Sequence, residues 1–181
     1  MGTDNGILIY NYRTDRYEQP ATDFPTDVRT MALQGDTLWI GALNGLYTYQ
    51  LQNRKLSPLG TKRNGLPHNT IYSIIRTGDN QIYVGTYNGL CRYIASNGKF
   101  EKIPLPVNSS QSNLFVNSLL EDTGRQCIWI GTEGYLFQYF PSTGQMKQTE
   151  AFHNNSIKSL ALDGNGYLLA GTDNGLYVYH N

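Results

Sequence analysis

Gly85-Thr86-Tyr87-Asn88-Gly89-Leu90, with Tyr93 three residues on, is one of five copies of a single phrase. The others are Gly2-Thr3-Asp4-Asn5-Gly6-Ile7, Gly41-Ala42-Leu43-Asn44-Gly45-Leu46, Gly131-Thr132-Glu133-Gly134-Tyr135-Leu136 and Gly171-Thr172-Asp173-Asn174-Gly175-Leu176. Each Ile or Leu is followed three residues later by a tyrosine: Tyr10, Tyr49, Tyr93, Tyr139 and Tyr179. Successive first glycines lie 39, 44, 46 and 40 residues apart. Such a period marks a repeat architecture, in which one small unit recurs and buries its faces by stacking on its neighbours.

Working outward from the phrase, the same grammar surrounds every copy. A β-branched, alternating segment comes first: Val28-Arg29-Thr30-Met31, Ile71-Tyr72-Ser73-Ile74, Val116-Asn117-Ser118-Leu119 and Ile157-Lys158-Ser159-Leu160. Alternation of this kind predicts a strand, here strand a. A Gly/Asp-rich turn leads to an apolar run that ends in the anchor glycine, as in Ile82-Tyr83-Val84-Gly85 and Ile128-Trp129-Ile130-Gly131. This strand b is apolar on both faces, as a strand covered on both sides must be. The Asn-Gly pair predicts a hairpin, because both residues tolerate φ > 0. Copy four has Gly134-Tyr135 there, so a different turn is expected. Strand c carries the tyrosine, and a polar turn such as Ser96-Asn97-Gly98 leads to strand d.

Four antiparallel strands per repeat make a β-propeller blade. The expected fold is all-β: a propeller of four-stranded antiparallel blades, about four blades' worth, in one repeat domain over residues 1–181. A partial blade occupies 1–20, blades occupy about 26–59, 70–104 and 114–150, and an incomplete last blade occupies 156–181. The chain is expected to open on strands c and d and to close on a, b and c, which makes seventeen strands. Unfinished blades expose faces and strand edges, which invite association. A homo-oligomer is therefore expected, with a compact four-bladed monomer as the alternative.

The stretch Gly65-Leu66-Pro67-His68-Asn69, continuing through Ile71, Ser73 and Ile74 to Ile82-Tyr83-Val84-Gly85-Thr86 and Asn88-Gly89-Leu90, resembles the two-component regulator propeller repeat. WD-repeat and kelch signatures are absent. The resemblance implies a large propeller in the periplasmic sensor region of hybrid two-component systems of Bacteroides-like bacteria. It further implies a non-catalytic role in detecting oligosaccharides. Two alternatives stand beside it: a structural or protein-interaction propeller, and a propeller lyase or glycoside hydrolase.

Composition narrows the field. Fourteen basic and fourteen acidic residues balance, and there is no basic run, so nucleic acid is not an expected partner. No apolar run reaches the ~18–20 residues a membrane helix needs, so no membrane contact is expected from this segment. Cys91 and Cys127 fall in different repeats and read as two separate thiols. His68, His153 and His180 lack metal-ligand spacing, and no cofactor or metal is expected. Asp36, Asp79, Asp122, Asp163 and Asp173 fall in turns, which their turn chemistry explains, and no catalytic residue is assigned.

Most tyrosines recur at blade-equivalent positions and read as packing. The candidate ligand contacts are residues that break the repeat. Tyr87 stands in a b–c turn where other copies have Asp, Leu or Glu. Tyr72 stands where the other strands a carry Arg29, Asn117 and Lys158, and these three polar residues are candidates as well. Phe115 begins strand a after the longest polar loop, Pro106–Leu114. His68 and His153 lie in d–a loops, which share one face with the b–c turns, the face on which propellers commonly bind ligands.

Overall fold

The computed structural model describes residues 1–18, 20, 25–60, 64–106, 114–149 and 155–179. His153, His180 and most of the loop before Phe115 lie outside them. The first blade holds β1 (Gly2–Thr3), β2 (Gly6–Ile7), β3 (Ile9–Asn11) and β4 (Arg16–Glu18). Three meanders of four strands follow. The second blade is β5 (Val28–Gln34), β6 (Thr37–Ala42), β7 (Gly45–Gln50) and β8 (Lys55–Pro58). The third is β9 (Ile71–Arg76), β10 (Ile82–Thr86), β11 (Gly89–Ile94) and β12 (Lys99–Ile103). The fourth is β13 (Val116–Asp122), β14 (Cys127–Thr132), β15 (Leu136–Phe140) and β16 (Gln145–Thr149). The last is β17 (Ile157–Leu162), β18 (Leu168–Thr172) and β19 (Gly175–Tyr179). Every pairing is antiparallel. The first blade differs from expectation. β1 is the tail of a strand b, and strand c is interrupted at Leu8 into β2 and β3. The strand total is therefore not seventeen.

Strands a line up against one another: β5 and β9, β9 and β13, and β13 and β17 are in contact, and β1 of the first blade touches β5. Between sheets lie separate apolar layers. Trp39, Ile74, Ile82, Val84 and Phe100 fill one. Tyr83, Ile128, Ile130 and Phe137 fill the next, and Trp129, Leu136, Ile157 and Leu168 the third. Strands β10 and β14 are buried along their whole length, as their unbroken apolar runs require. Cys91 and Cys127 are both buried and form no disulfide, and burial pushes the Cys127 thiol up to about 11.

The repeated phrase has two jobs in the fold. Its second glycine turns the hairpin: φ is 101° at Gly89 and 111° at Gly175. The preceding Asn residues are not left-handed, so these are not the two-residue turns with positive φ at both positions. Thr86 pairs with Gly89 and Thr172 with Gly175, so two residues form each turn and the positive φ falls on the glycine that follows them. Thr86 caps this turn, donating to the Gly89 carbonyl at 2.8 Å and accepting the Asn88 N–H at 3.1 Å. Thr3 and Thr172 repeat the arrangement. In copy four Thr132 donates to the Tyr135 carbonyl in the same way, but the positive φ falls one residue earlier, at Gly134 (95°), so the turn differs as expected. The first glycine is a seat for the next blade. A Cβ at Gly41 would meet Ile71 Cγ2 at 2.5 Å; at Gly85 it would meet Val116 Cγ1 at 2.6 Å, and at Gly131 Ile157 Cγ2 at 2.6 Å.

The first and last sheets carry most of the large exposed apolar side chains. Tyr10 and Tyr17 are exposed on one, and Leu176 (70%) and Val178 (49%) on the other.

Candidate functional site

Opposite each anchor glycine the inner strand contains a β-bulge. Val28 pairs with Ala42 and Thr30 with Gly41, which leaves Arg29 as the extra residue. Tyr72, Asn117 and Lys158 are the extra residues of β9, β13 and β17. Bulges re-aim side chains out of the ladder and occur beside functional sites. The four candidates in strand a therefore share one irregularity, placed where β5, β9, β13 and β17 meet the b–c turns.

Two of these bulges support a row of rings. His68 lies 4.8 Å from Tyr87, Tyr87 lies 4.1 Å from Phe115, and Phe115 lies 6.0 Å from Tyr72, centroid to centroid. All four are half-buried. The backbone fixes this meeting: the Tyr87 N–H donates to the Thr70 carbonyl and the Gly89 N–H to the Leu114 carbonyl. His68 Nδ1 accepts the Thr70 N–H at 3.0 Å, so the neutral ring carries its proton on Nε2.

The next bulges form a polar group. Asn117 donates to Glu133 at 3.2 Å and to the Ser156 hydroxyl at 3.3 Å. Lys158 bridges Glu133 at 3.2 Å and Asp173 at 3.5 Å. Burial alone would raise the Glu133 carboxyl, but bonds from Ser156, Asn117 and Lys158 outweigh it and hold the group below its ordinary value. Burial likewise opposes the Lys158 charge, and Glu133 and Asp173 outweigh it, so Lys158 is raised.

These shifts set a pH window. The Glu133 contribution is complete above the ordinary carboxylate value of about 4.3 and is lost as pH falls through its lower folded value. The Lys158 contribution is complete below about 10.4 and is lost as pH rises through its higher folded value. Amide protection factors at the β13–β17 contact, with exchange corrected for its intrinsic pH dependence, are expected to be highest between these limits. Glu133→Gln should remove the acid-side change; an acid limb unaltered by it would assign the shift to another group.

Of the candidates, His68, Tyr72, Tyr87 and Phe115 come together, and Asn117 and Lys158 join one neighbouring group. Arg29 occupies the equivalent bulge of the second blade, exposed, with no ion pair or hydrogen bond to the others among the described residues. His153 lies outside the described residues. Glu133 and Ser156 are not among the candidates; the irregular Gly134-Tyr135 turn of copy four is the signal that could have found Glu133. Asp173 does more than shape a turn, since it pairs with Lys158. Asp122 also exceeds turn chemistry: its buried carboxylate accepts the Trp129 indole N–H at 3.0 Å and pairs with Arg125 at 2.9 Å. Among the described residues no group of three or more His, Cys, Asp or Glu could hold a metal ion, and no helix is long and apolar enough to cross a membrane.

Stacked four-stranded meanders with strand a innermost define an arc of a β-propeller, with a ring-lined face over its b–c turns. The two-component regulator propeller family matches residues 65–88, the stretch that holds His68, Tyr72 and Tyr87. The extracellular domain of BT4673 from B. thetaiotaomicron, described once as a one-component and once as a hybrid two-component system, is 90% identical over 100% of this chain. The TM-score is 0.95, and this chain covers 25% or 24% of those structures. The extracellular domain of the hybrid two-component system BT3049 of the same organism matches 97% of the chain at 20% identity, with 25% of its own length covered and a TM-score of 0.79. The β-propeller domain of Myceliophteria thermophila Cps50 (Swd1) matches 99% at 13% identity, with 61% of its length covered and a TM-score of 0.70. These last two show the fold alone. Among curated proteins nothing matches. Residues 65–88 thus carry a two-component regulator propeller repeat, and the chain spans about a quarter of the length of the BT4673 structures it resembles.

Proposed function

We propose that this chain is a non-catalytic, ligand-reading segment of a periplasmic two-component sensor, and that its ligand is an oligosaccharide. The observation that carries the reading is the continuous row His68–Tyr87–Phe115–Tyr72, which crosses from one blade to the next. Aromatic faces offer an apolar platform to the C–H faces of sugar rings, and a few placed polar groups fix orientation. Asn117 supplies a planar amide beside Phe115, and Glu133 and Lys158 supply an acceptor and a donor. The same group argues for a binder over a glycoside hydrolase. A carboxylate held ionised by Lys158 is the reverse of the raised-pKa acid that such hydrolysis needs. The extracellular placement of the similar BT4673 domain supports the compartment.

A calorimetric screen against oligosaccharides tests the reading. Tyr87→Ala and Tyr72→Ala are each expected to weaken a bound oligosaccharide about tenfold, from the loss of one ring contact. Unaltered affinity in both variants, with the β-sheet circular dichroism retained, would discard the site.

A further inference from the structure

Asparagine followed by glycine occurs seven times in the chain, at Asn5, Asn44, Asn64, Asn88, Asn97, Asn165 and Asn174. Glycine has no Cβ to hold its backbone nitrogen away from the preceding side chain, so this pair is where that nitrogen most readily attacks the asparagine amide. The attack needs a glycine N–H released from its bonds and a turn that can open.

The fold withholds one or both at six of the seven. Gly6, Gly45 and Gly89 are buried, and the Gly89 N–H also donates to the Leu114 carbonyl, at the approach to the next blade, at 2.9 Å. The Gly98 N–H donates to the Ile94 carbonyl at 3.0 Å and the Gly166 N–H to the Asp163 carbonyl at 3.1 Å. Asn64 is half-buried, its amide donates to the Leu59 carbonyl at 3.1 Å, and Gly65 lies against the Phe100 carbonyl.

Asn174 and Gly175 differ. Both are exposed, as are Asp173 and Leu176 on either side of them. A Cβ at Gly175 would meet nothing within 4 Å. Their hairpin is also the least supported. In the second, third and fourth blades strand c is paired along both edges, whereas β19 pairs with β18 alone among the described residues. The Asn174 N–H donates to the Thr172 hydroxyl at 3.1 Å, and its side-chain amide donates to the Asn155 side chain. Opening such an edge hairpin costs little beside opening a buried one.

We propose that Asn174 is a modification site at which the chain deamidates itself through a succinimide. The Gly175 nitrogen bonds to the Asn174 Cγ and gives up its proton, and the side-chain nitrogen takes a proton and leaves as ammonia. Water then opens the ring at either carbonyl. One product is aspartate; the other is isoaspartate, with the main chain routed through the side-chain carbon. Either one places a new carboxylate beside Asp173, which pairs with Lys158 at 3.5 Å. The modification therefore adds a negative charge at the polar end of the candidate ligand face, and it is independent of the oligosaccharide reading.

Incubation in mildly alkaline buffer, followed by peptide mapping with mass spectrometry, measures the product at every Asn-Gly pair. Asn174 is expected to react about tenfold or more ahead of Asn88, Asn97 and Asn165, the weight of one net hydrogen bond. In urea that lead should vanish, because unfolding releases every glycine N–H alike. Asn174→Gln should remove most of the isoaspartate detected by enzymatic methylation of the folded chain. An equal native rate at any other Asn-Gly pair would overturn the proposal. So would a lead of Asn174 undiminished in urea, or isoaspartate retained by Asn174→Gln.

Discussion

Trp129→Ala is expected to destabilise the chain by about 3–5 kcal/mol, the usual range for a fully buried Trp or Phe truncated in a core. Trp129 is 0% exposed and packs with Leu136, Ile157, Leu168 and Ala170, so its removal empties the layer between the fourth and last sheets. It also removes the indole N–H from the buried Asp122 carboxylate. Arg125 remains bonded to Asp122 and to the Gly166 carbonyl, so the carboxylate keeps a counter-charge and the loss stays within that range. Trp129→Phe retains most of the ring and loses only the bond to Asp122, for about 1–2 kcal/mol. Urea denaturation followed by the remaining Trp39 fluorescence measures both. A loss for Trp129→Ala no larger than that for Trp129→Phe would mean the indole does not plug the layer.

Gly131→Ala is expected to cost about 1–3 kcal/mol through overpacking, although alanine is normally welcome in a strand with ordinary φ. The added methyl would meet Ile157 Cγ2 at 2.6 Å and crowd the Ser118 hydroxyl, while the backbone at Gly131 is not left-handed. The cost is thus steric, shared between Ser118 of the same blade and Ile157 of the next. Gly164→Ala is the matched control, since a Cβ there meets nothing within 4 Å, and it should change stability by less than about 0.5 kcal/mol. Combining Gly131→Ala with Ile157→Ala removes one of the colliding groups, so the double variant should lose less than the sum of the singles. Additive losses would show that Ile157 does not rest on Gly131.

Both effects depend on how residues one repeat apart meet, and that separates what was readable in the sequence from what was not. The repeat, the four-strand order and the expectation of a propeller follow from local patterns: alternation in strand a, the apolar run of strand b, and Asn-Gly after it. Each of these constrains a few consecutive residues, so each is legible without neighbours. Tyr72, Tyr87 and Phe115 were also legible, because departure from a repeat can be seen by comparing its copies. The meaning of Gly85 and Gly131 was not. As sequence they belong to a turn phrase; in the fold their missing Cβ admits Val116 and Ile157 of the next blade.

The bulges at Arg29, Tyr72, Asn117 and Lys158 and the Glu133–Lys158–Asp173 group were equally hidden. Each arises from pairing register or from contacts across a blade interface, between residues far apart in the chain. By itself the sequence determined the blade and its breaks, because hydrogen-bonded hairpins are encoded locally. Only the tertiary structure decided which breaks meet, because stacking turns one-dimensional spacing into contacts that no local pattern specifies.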